Sequence, residues 1–546
     1  MLPAEQQSVV DMHASRLMQS LSGRVLVVDD ELPNRLYLRK LLKSRGCEVF
    51  DADDGPTALT IAFKKLPDLI LVDVMMPGMD GFELCGKLRD ESRTTNIPVI
   101  MVTAKSKIED IETGFELGAM DYIRKPFNPR ELVLRVGNAL ALKKSSDELM
   151  IWNNRVSRDL ELAGSIQRSL FSNIPHFSRR FEVRIAYQPC MDVGGDAFDI
   201  IPLPDGRLCI YVADVSGHGV APAMISSLLK ATASEMIHRF ADKGPAEICN
   251  ALNMVFRRRI DNPSYFATMF MALHDPEALE WRCMNCGHPD PVMVRDDELV
   301  DPIIFQGGGG APIGFPFGSE RPYSATDEVV FKDEGNSFLL LYTDGLMEAR
   351  HRATGEECGD IMPAVYEEMA CNPELANKAE ELLNELESRQ YDLAADDCTA
   401  ISIQMLDSRK IVLEQVVPRN MYLVSDAAKQ AEVAVTSSGI SPDTAAMLRL
   451  LVMELGANLV DHGGLEEDDS FWLQIRVDGK VCQLVMRDEG VEWDLEEALH
   501  RKIDDSYMGE RGRGLAITNT IADRIERYRV QMQNLTYCTI IDGEGE

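Results

Sequence analysis

The sequence lacks any apolar stretch long enough to cross a membrane. None of its 546 residues belongs to a continuous apolar run of the roughly 18 residues that a spanning helix needs. The N-terminus carries Glu5 and Asp11 and has no apolar core of the kind found in signal peptides. We therefore expect a cytoplasmic protein with no membrane partner.

The sequence is also poor in positive charge. Its 56 Lys and Arg residues face 89 Asp and Glu residues, which leaves a net charge of −33. Because phosphate backbones attract clustered Lys and Arg, this balance excludes a nucleic-acid-binding class. The 12 cysteines show no framework spacing, as expected of reduced thiols in a cytosol. At about 150 residues per domain, the length predicts three or four domains.

From Arg24 onward, short apolar runs alternate with helical patterns, and a last helix is expected to start at Pro129. The strand candidates are Arg24–Val28, Cys47–Ala52, Asp68–Val72, Pro98–Thr103 and Asp121–Ile123. This alternation predicts a doubly wound parallel sheet, whose ligand site lies at the carboxyl ends of the strands.

Polar residues stand at those strand ends. Asp29 and Asp30 come at the end of the first strand, Asp73 at the end of the third, Thr103 at the end of the fourth, and Lys125 after the fifth. Three converging carboxylates would repel one another without a cation, so we expect Mg²⁺ at this edge. The alternative is a flavodoxin-like domain with incidental acids there.

This segment closely resembles the response-regulator receiver family through the motifs VLVVDDE, LILVDVMMPGMDGFEL, VTA and YIRKPF. The resemblance implies that Asp73 accepts a phosphoryl group from an upstream histidine kinase or phosphotransfer protein, and that Asp29 and Asp30 hold Mg²⁺ with it. The remaining switch residues that the family implies are Thr103, Tyr122 and Lys125.

Residues 128–170 have a helical apolar period that predicts a long helix or a pair of helices. Leu149, Trp152 and Val156 belong to this pattern. The segment is either a coiled coil that makes a homodimer or a single solvated linker helix. We assign residues 146–175 to this connector.

Between residues 181 and 405 the sequence is rich in β-like alternation and carries four acidic motifs: VGGDAFD, VADVSGHG, LYTDGLMEA and AADDCT. Each acid lies beside a β-like run and a small residue. A purely oxygen ligand set favours Mg²⁺ or Mn²⁺. Two such ions about 4 Å apart can activate a water and clamp a phosphoryl group.

These motifs resemble the PP2C-type phosphatases, in particular their bacterial SpoIIE-like branch. The resemblance implies a protein-serine/threonine phosphatase with a PP2C-type β-sandwich, flanking helices and two Mn²⁺ or Mg²⁺ ions. It implies a metal set of Asp196, Asp214, Gly217, Asp344 and Asp396, in which Asp214 bridges the ions and the aspartates are catalytic. The phosphate-binding arginine of the eukaryotic enzymes has no clear counterpart. The alternative is a degenerate phosphatase fold that only transmits signals.

The C-terminal part contains LVMELGANLVDHGG, MRDEGVEWD and GERGRGLAI. Glu454, Asn458 and His462 recur every four residues, so one helix face presents them together. Such an asparagine can complete the Mg²⁺ shell of ATP, and the glutamate can accept a proton from an attacking hydroxyl. Asp488 can accept a hydrogen bond from an adenine amino group, and glycines from 509 to 514 would form a lid over the phosphates.

These motifs resemble the GHKL ATPase fold, an α/β sandwich, and most nearly the anti-sigma-factor serine kinases. The resemblance implies Glu454 as the catalytic base and Asn458 as the Mg²⁺ ligand. The implied ATP-binding residues are Asn458, Asp488, Gly490, Gly512 and Gly514. After Gly490 the sequence departs from the family with Val491, Glu492 and Trp493. The alternative is a partner-binding domain that keeps the fold without catalysis.

The domain order resembles bacterial partner-switching regulators of the HsbR and CrsR kind. The resulting fold class is multidomain α/β and α+β. The expected segments are an N-terminal helical extension at 1–21, a receiver at 22–145, the connector at 146–175, a phosphatase at 176–408 and a GHKL domain at 409–546. The resemblance implies dephosphorylation of a STAS-domain anti-sigma-factor antagonist, opposed by the C-terminal serine kinase, with a sigma or anti-sigma factor as a further partner. The alternative is a module that sequesters such a partner with little catalysis.

Overall fold

The computed structural model describes most of the chain. The described residues are 21–103, 114–171, 175–178, 180–295, 298–300, 310–315, 319, 321–333, 335–370, 372–375, 377–462, 469–490, 521–530 and 533–543. They belong to two compact units, Met1–Asp159 and Leu160–Glu546. Within these ranges, no helix combines the length and the apolar character needed to cross a bilayer.

The first unit is built on a parallel sheet. Its strands are β1 Arg24–Val28, β2 Glu48–Ala52, β3 Leu69–Asp73, β4 Val99–Thr103 and β5 Asp121–Arg124, and its helices include α1 Leu32–Lys43, α2 Gly55–Lys65 and α3 Gly81–Asp90. The strand order is β2-β1-β3-β4-β5. Every residue of β3 and β4 is buried, because helices cover parallel strands on both faces. The predicted doubly wound sheet is confirmed, and each expected strand boundary lies within one residue of the observed one.

Helix α4, Pro129–Leu170, is one continuous helix of 42 residues rather than a pair. Near its start, Leu132, Val136 and Leu140 are buried in the core of the parallel sheet. Farther along, the helix carries exposed apolar side chains. These are Leu142, Leu149, Met150, Ile151, Trp152, Val156, Leu162, Ile166 and Leu170.

The middle part of the chain forms two antiparallel sheets. The five-stranded sheet contains β8 Asp196–Pro202, β9 Leu208–Val215, β10 Ala267–Asp275, β11 Glu280–Cys286 and β14 Val329–Lys332. The other contains β6 His176–Phe177, β7 Phe181–Gln188, β12 Val292–Arg295, β13 Glu298–Leu299, β15 Ser337–Tyr342 and β18 Cys398–Met405. A separate pair consists of β16 Arg350–His351 and β17 Tyr391–Asp392. The orders are β14-β11-β10-β9-β8 and β13-β12-β15-β18-β7-β6.

These two sheets pack face to face as a sandwich with helices outside. One apolar core joins Val183 and Ile401 of one sheet to Val212 and Met271 of the other. The helices are α5 Val220–Phe240, α6 Pro245–Arg259, α7 Asp344–Glu348, α8 Met362–Ala370 and α9 Lys378–Ser388. Residues of α5 and α6 share this core, whereas α8 and α9 pack in a second core on the sheet that contains β15.

The C-terminal part is a sheet with two helices on one face. Its elements are β19 Ile411–Pro418, α10 Met421–Ser437, α11 Pro442–His462, β20 Ser470–Asp478, β21 Val481–Asp488, β22 Arg524–Val530 and β23 Gln533–Ile541. The antiparallel strand order is β19-β20-β21-β23-β22. Val424 and Leu451 of the helices pack on Leu473 and Leu484 of the sheet. The predicted multidomain α/β and α+β architecture is therefore confirmed.

Candidate functional site

The end of the parallel sheet brings together the polar residues expected there. Asp29 and Asp73 are 1% and 7% exposed, and their carboxylates lie 2.7 and 2.6 Å from the Lys125 Nζ. Ligand oxygens of Asp29, Asp30 and Asp73 lie within 4.8 Å of one another. A set of carboxylate oxygens at this spacing fits a hard divalent cation such as Mg²⁺.

Lys125 neutralises part of this acidic cluster. Burial alone would lower the pKa of Lys125, but hydrogen bonds to Asp29 and Asp73 raise it above its usual value. Asp30, Asp73 and Lys125 line an open cleft of about 710 Å³, so a phosphodonor can reach Asp73. Thr103 and Tyr122 line one small cavity on the neighbouring strands. The structure thus brings Asp29, Asp30, Asp73 and Lys125 together at the end of the sheet, and it places Thr103 and Tyr122 around a separate small cavity.

The sandwich places the acidic motifs of the middle domain around Asp214. Asp196 and Asp214 are paired across β8 and β9. Asp344 opens α7, and Asp396 lies in a bend two residues before β18. Asp196 is 1% exposed, and its Oδ2 accepts hydrogen bonds from Thr343 Oγ1 at 2.9 Å and Thr399 Oγ1 at 2.5 Å.

Burial and mutual repulsion raise the pKa values of these carboxylates. Burial first, and repulsion by Asp344 and Asp396 next, raise the pKa of Asp214 to about 7. Burial and repulsion by Asp214 raise the pKa of Asp196 well above its usual value. Burial and repulsion by Asp396 also raise the pKa of Asp344. Cations bound here would relieve this repulsion, so the donor set fits Mg²⁺ or Mn²⁺.

The two aspartates of AADDCT have different environments. Asp397 is 5% exposed and accepts hydrogen bonds from the backbone N–H groups of Cys190 at 2.8 Å and Gly195 at 2.5 Å. Asp396 is exposed, and its Oδ1 accepts the N–H of Asp397 at 2.8 Å. Asp397 therefore anchors the loop before β8, whereas Asp396 is free to face a ligand. Gly217 lies in the turn after β9 with a φ of 90°, and its role as a ligand stays a prediction.

Several residues of this site were missed by sequence reasoning. Thr343 and Thr399 stand inside the quoted motifs LYTDG and DDCT, so their positions beside acids were a usable signal. Glu348 lies one turn after Asp344 on α7 and contributes to the raised pKa of Asp214. Gln167 on α4 has no such signal. Its side chain bonds both the N–H and the C=O of Gly194, at 3.0 and 2.7 Å.

In the C-terminal domain, Glu454 and Asn458 lie on α11 and Asp488 ends β21, as expected. Asp488 is 2% exposed. Its Oδ1 accepts Gly490 N–H at 2.9 Å and Asn534 Nδ2 at 2.7 Å, and its Oδ2 lies 3.4 Å from Arg527 Nη2. Gly512, Gly514 and the side chain of His462 lie outside the described residues.

Asn458 supports a ligand site beside α11. Its Nδ2 is buried and has no hydrogen-bond partner among the described residues. Buried polar groups are nearly always bonded, so this amide is available to an incoming polar group. Asp488 ends β21, a strand of the sheet on which α11 packs, and an amide and a carboxylate of this kind fit a nucleotide that presents both phosphates and an amino group.

Three family models match the chain. The response regulator receiver domain matches residues 25–137, stage II sporulation protein E (SpoIIE) matches 204–406, and the histidine kinase-like ATPase domain matches 417–539. A curated relative is the response regulator PleD of Caulobacter vibrioides, which is 46% identical over 129 residues. That match covers 24% of this chain and 28% of PleD, so the chain spans about a quarter of this relative.

Two solved structures match parts of the chain. The RsbU and RsbW domains of a Mycobacterium tuberculosis protein are 21% identical, with 66% of this chain and 93% of that chain covered and a TM-score of 0.38. The SiaA PP2C domain of Pseudomonas aeruginosa is 19% identical, with 47% and 98% covered and a TM-score of 0.39. The family matches are what identify the domains. The chain therefore contains a response regulator receiver domain, a SpoIIE domain and a histidine kinase-like ATPase domain, in that order.

Proposed function

We propose that this protein is a metal-dependent protein-serine/threonine phosphatase controlled by phosphorylation of its receiver domain. The observation that carries the proposal is the convergence of Asp196, Asp214 and Asp344 with raised pKa values in the SpoIIE domain. Two Mn²⁺ or Mg²⁺ ions bound there would activate a water and neutralise the phosphoryl group. Asp214, Asp196, Asp344 and Asp396 would hold them, and Thr399 would keep Asp196 oriented.

The proposed substrate is a phosphoserine or phosphothreonine on a STAS-domain anti-sigma-factor antagonist. This assignment follows from the resemblance to partner-switching regulators of the HsbR and CrsR kind. In the same proposal, the C-terminal domain binds ATP and Mg²⁺ through Asn458 and phosphorylates the antagonist with Glu454 as base. A sigma or anti-sigma factor is then released or captured in the cytoplasm. The opposed activities need a switch, since running together they would only hydrolyse ATP.

The receiver is the proposed switch. An upstream histidine kinase or phosphotransfer protein would phosphorylate Asp73, whose carboxylate holds the Lys125 ammonium at 2.6 Å. A phosphoryl group adds negative charge at this ion pair, so its geometry changes. Helix α4 begins four residues after Lys125, and its exposed apolar side chains support a coiled-coil homodimer through residues 146–175.

A second candidate is a binding module whose C-terminal domain sequesters a sigma factor or an antagonist with little catalysis. The observation in its favour is that both oxygens of Asp488 already have donors from within the domain. Glu454→Ala and Asp214→Ala distinguish the two. If the protein is an enzyme, either substitution changes the phosphorylation of the partner. If it is a binding module, either substitution changes only how long the partner is retained.

The proposal is tested by Mn²⁺-dependent phosphate release from a phosphoserine protein, with and without beryllofluoride on the receiver. Asp214→Ala is the blank, and Asp73→Ala controls for effects of beryllofluoride outside the receiver. We expect release that depends on Asp214 and changes with beryllofluoride only when Asp73 is present. No release from wild type with varied substrates would refute the phosphatase, and equal responses of wild type and Asp73→Ala would refute the coupling.

A further inference from the structure

The C-terminal sheet is covered on both faces. Helices α10 and α11 cover one face, and strands β6 and β7 of the phosphatase lie against the other. Phe177 packs there with Val485, Leu535 and Tyr537. The guanidinium of Arg184 lies over the rings of Phe177 and Tyr537, at 4.8 and 4.6 Å from their centres. The phosphatase and the ATPase-like domain therefore share a buried contact.

This contact contains a layer of buried ion pairs. Arg184 Nη1 lies 2.8 Å from Glu526 Oε2, and Arg184 Nε lies 2.7 Å from Glu182 Oε1. Glu182 Oε2 in turn lies 3.0 Å from Arg476 Nη1. The side chains of Glu182, Arg184 and Arg476 are 3–4% exposed. Buried charges are stable only while they keep their partners, so this layer is sensitive to small shifts of either sheet.

Strand β22 connects this layer with Asp488. Successive residues of a strand point to opposite faces, so Glu526 faces the phosphatase while Arg527 faces the helices. Arg527 is held beside Asp488 Oδ2 at 3.4 Å and donates from Nη1 to Thr536 Oγ1 at 2.5 Å. Its side chain is 6% exposed. One strand therefore carries a partner of Asp488 and a partner of Arg184 on adjacent residues.

Arg527 Nη2 occupies one acceptor position of the Asp488 carboxylate. The adenine amino group would donate a hydrogen bond to the carboxylate of Asp488. This step rests on the nucleotide binding proposed above. We propose that Arg527 competes with adenine for Asp488, and that its displacement loosens the Arg184–Glu526 ion pair. Nucleotide binding then changes the packing of β7, the strand that carries Arg184. Strand β7 ends two residues before Cys190, and the Cys190 N–H donates to Asp397 beside the phosphatase site.

Nucleotide affinity of the full chain tests the competition. Isothermal titration with ATP and Mg²⁺ compares wild type with Arg527→Met, which keeps the length of the side chain but removes its donors. We expect Arg527→Met to bind about tenfold more tightly, the order for one hydrogen bond to a charged group that no longer has to be broken. Arg527→Lys keeps a cation beside Asp488 and should bind like wild type.

Hydrogen exchange of β7 tests the link without using activity. On addition of ATP, the amides of Phe181–Gln188 should exchange faster in wild type. In Glu526→Gln the nucleotide still binds, but β7 exchange should no longer respond, because Arg184 has lost its charged partner on β22.

Equal ATP affinities of wild type and Arg527→Met, or no ATP binding by either, would overturn the competition. Equal β7 responses in wild type and Glu526→Gln would overturn the link. None of these outcomes changes the expectation that phosphate release depends on Asp214. Failure of this inference is therefore distinguishable from failure of the proposed phosphatase.

Discussion

The raised pKa of Asp214 predicts that the phosphatase site binds Mn²⁺ with a strong pH dependence. A cation needs the ionised carboxylate, and a pKa of about 7 keeps a proton on Asp214 at lower pH. The cation must displace that proton, so binding weakens as the pH falls below 7 and levels off above it. Asp196, whose pKa is also raised, strengthens the dependence.

The magnitude follows from the position of this pKa. At pH 5, two units below it, about 1% of Asp214 is ionised, which costs about 2.7 kcal/mol of binding free energy. Half of Asp214 is ionised at pH 7, so we expect the Mn²⁺ dissociation constant to rise about 50-fold between pH 7 and pH 5 from this carboxylate alone. An aspartate with an ordinary pKa near 3.9 would show almost no change over this range.

Isothermal titration with Mn²⁺ between pH 5 and pH 8 measures this dependence in the full chain. Asp29→Asn is included throughout so that the receiver site does not contribute to the heat. Burial is the largest cause of the raised pKa of Asp214, and Asp344 is the next. Asp344→Asn should therefore move the midpoint of the pH dependence of Mn²⁺ binding to lower pH. Glu348→Gln removes a weaker cause and should move the midpoint less.

A dissociation constant that stays within about twofold between pH 5 and pH 8 would refute the reasoning. It would mean that Asp214 is ionised in the metal-free site, so that burial and repulsion do not control the pKa there. An unchanged midpoint in Asp344→Asn would refute the assignment of Asp344 as a neighbour that raises it.

Four further expectations concern other parts of the chain. Asp73→Asn should remove the response of phosphate release to acetyl phosphate and keep basal release; a retained response would contradict receiver control. Thr399→Val removes the 2.5 Å bond to Asp196 and should weaken Mn²⁺ binding about tenfold, whereas unchanged binding would assign that threonine no role. Glu182→Ala leaves buried guanidiniums without their partner, and urea unfolding should show a loss of about 3–5 kcal/mol; a loss below about 1 kcal/mol would contradict the ion-pair layer. Trp152→Glu should convert a homodimer into a monomer in sedimentation velocity, and a monomeric wild type would refute the coiled coil.

The receiver was predictable from sequence almost residue by residue. Its strands are short apolar runs, and the functional side chains stand at the ends of those runs, as Asp73 is the last residue of the buried strand β3. Because the carboxyl ends of neighbouring parallel strands meet at one edge, local pattern and spatial convergence coincide. The acidic motifs of the SpoIIE domain were found in the same way, each beside a strand.

What the sequence determined by itself is the order of the three domains and the positions of their acidic motifs. Only the tertiary structure decided that Thr343 and Thr399 converge on one oxygen of Asp196, because these residues are far apart in the chain. Only it placed Glu182 against Arg476, 294 residues away. The local pattern predicts that charged residues in a strand face solvent. Alternation along one strand cannot show that a second sheet covers that face.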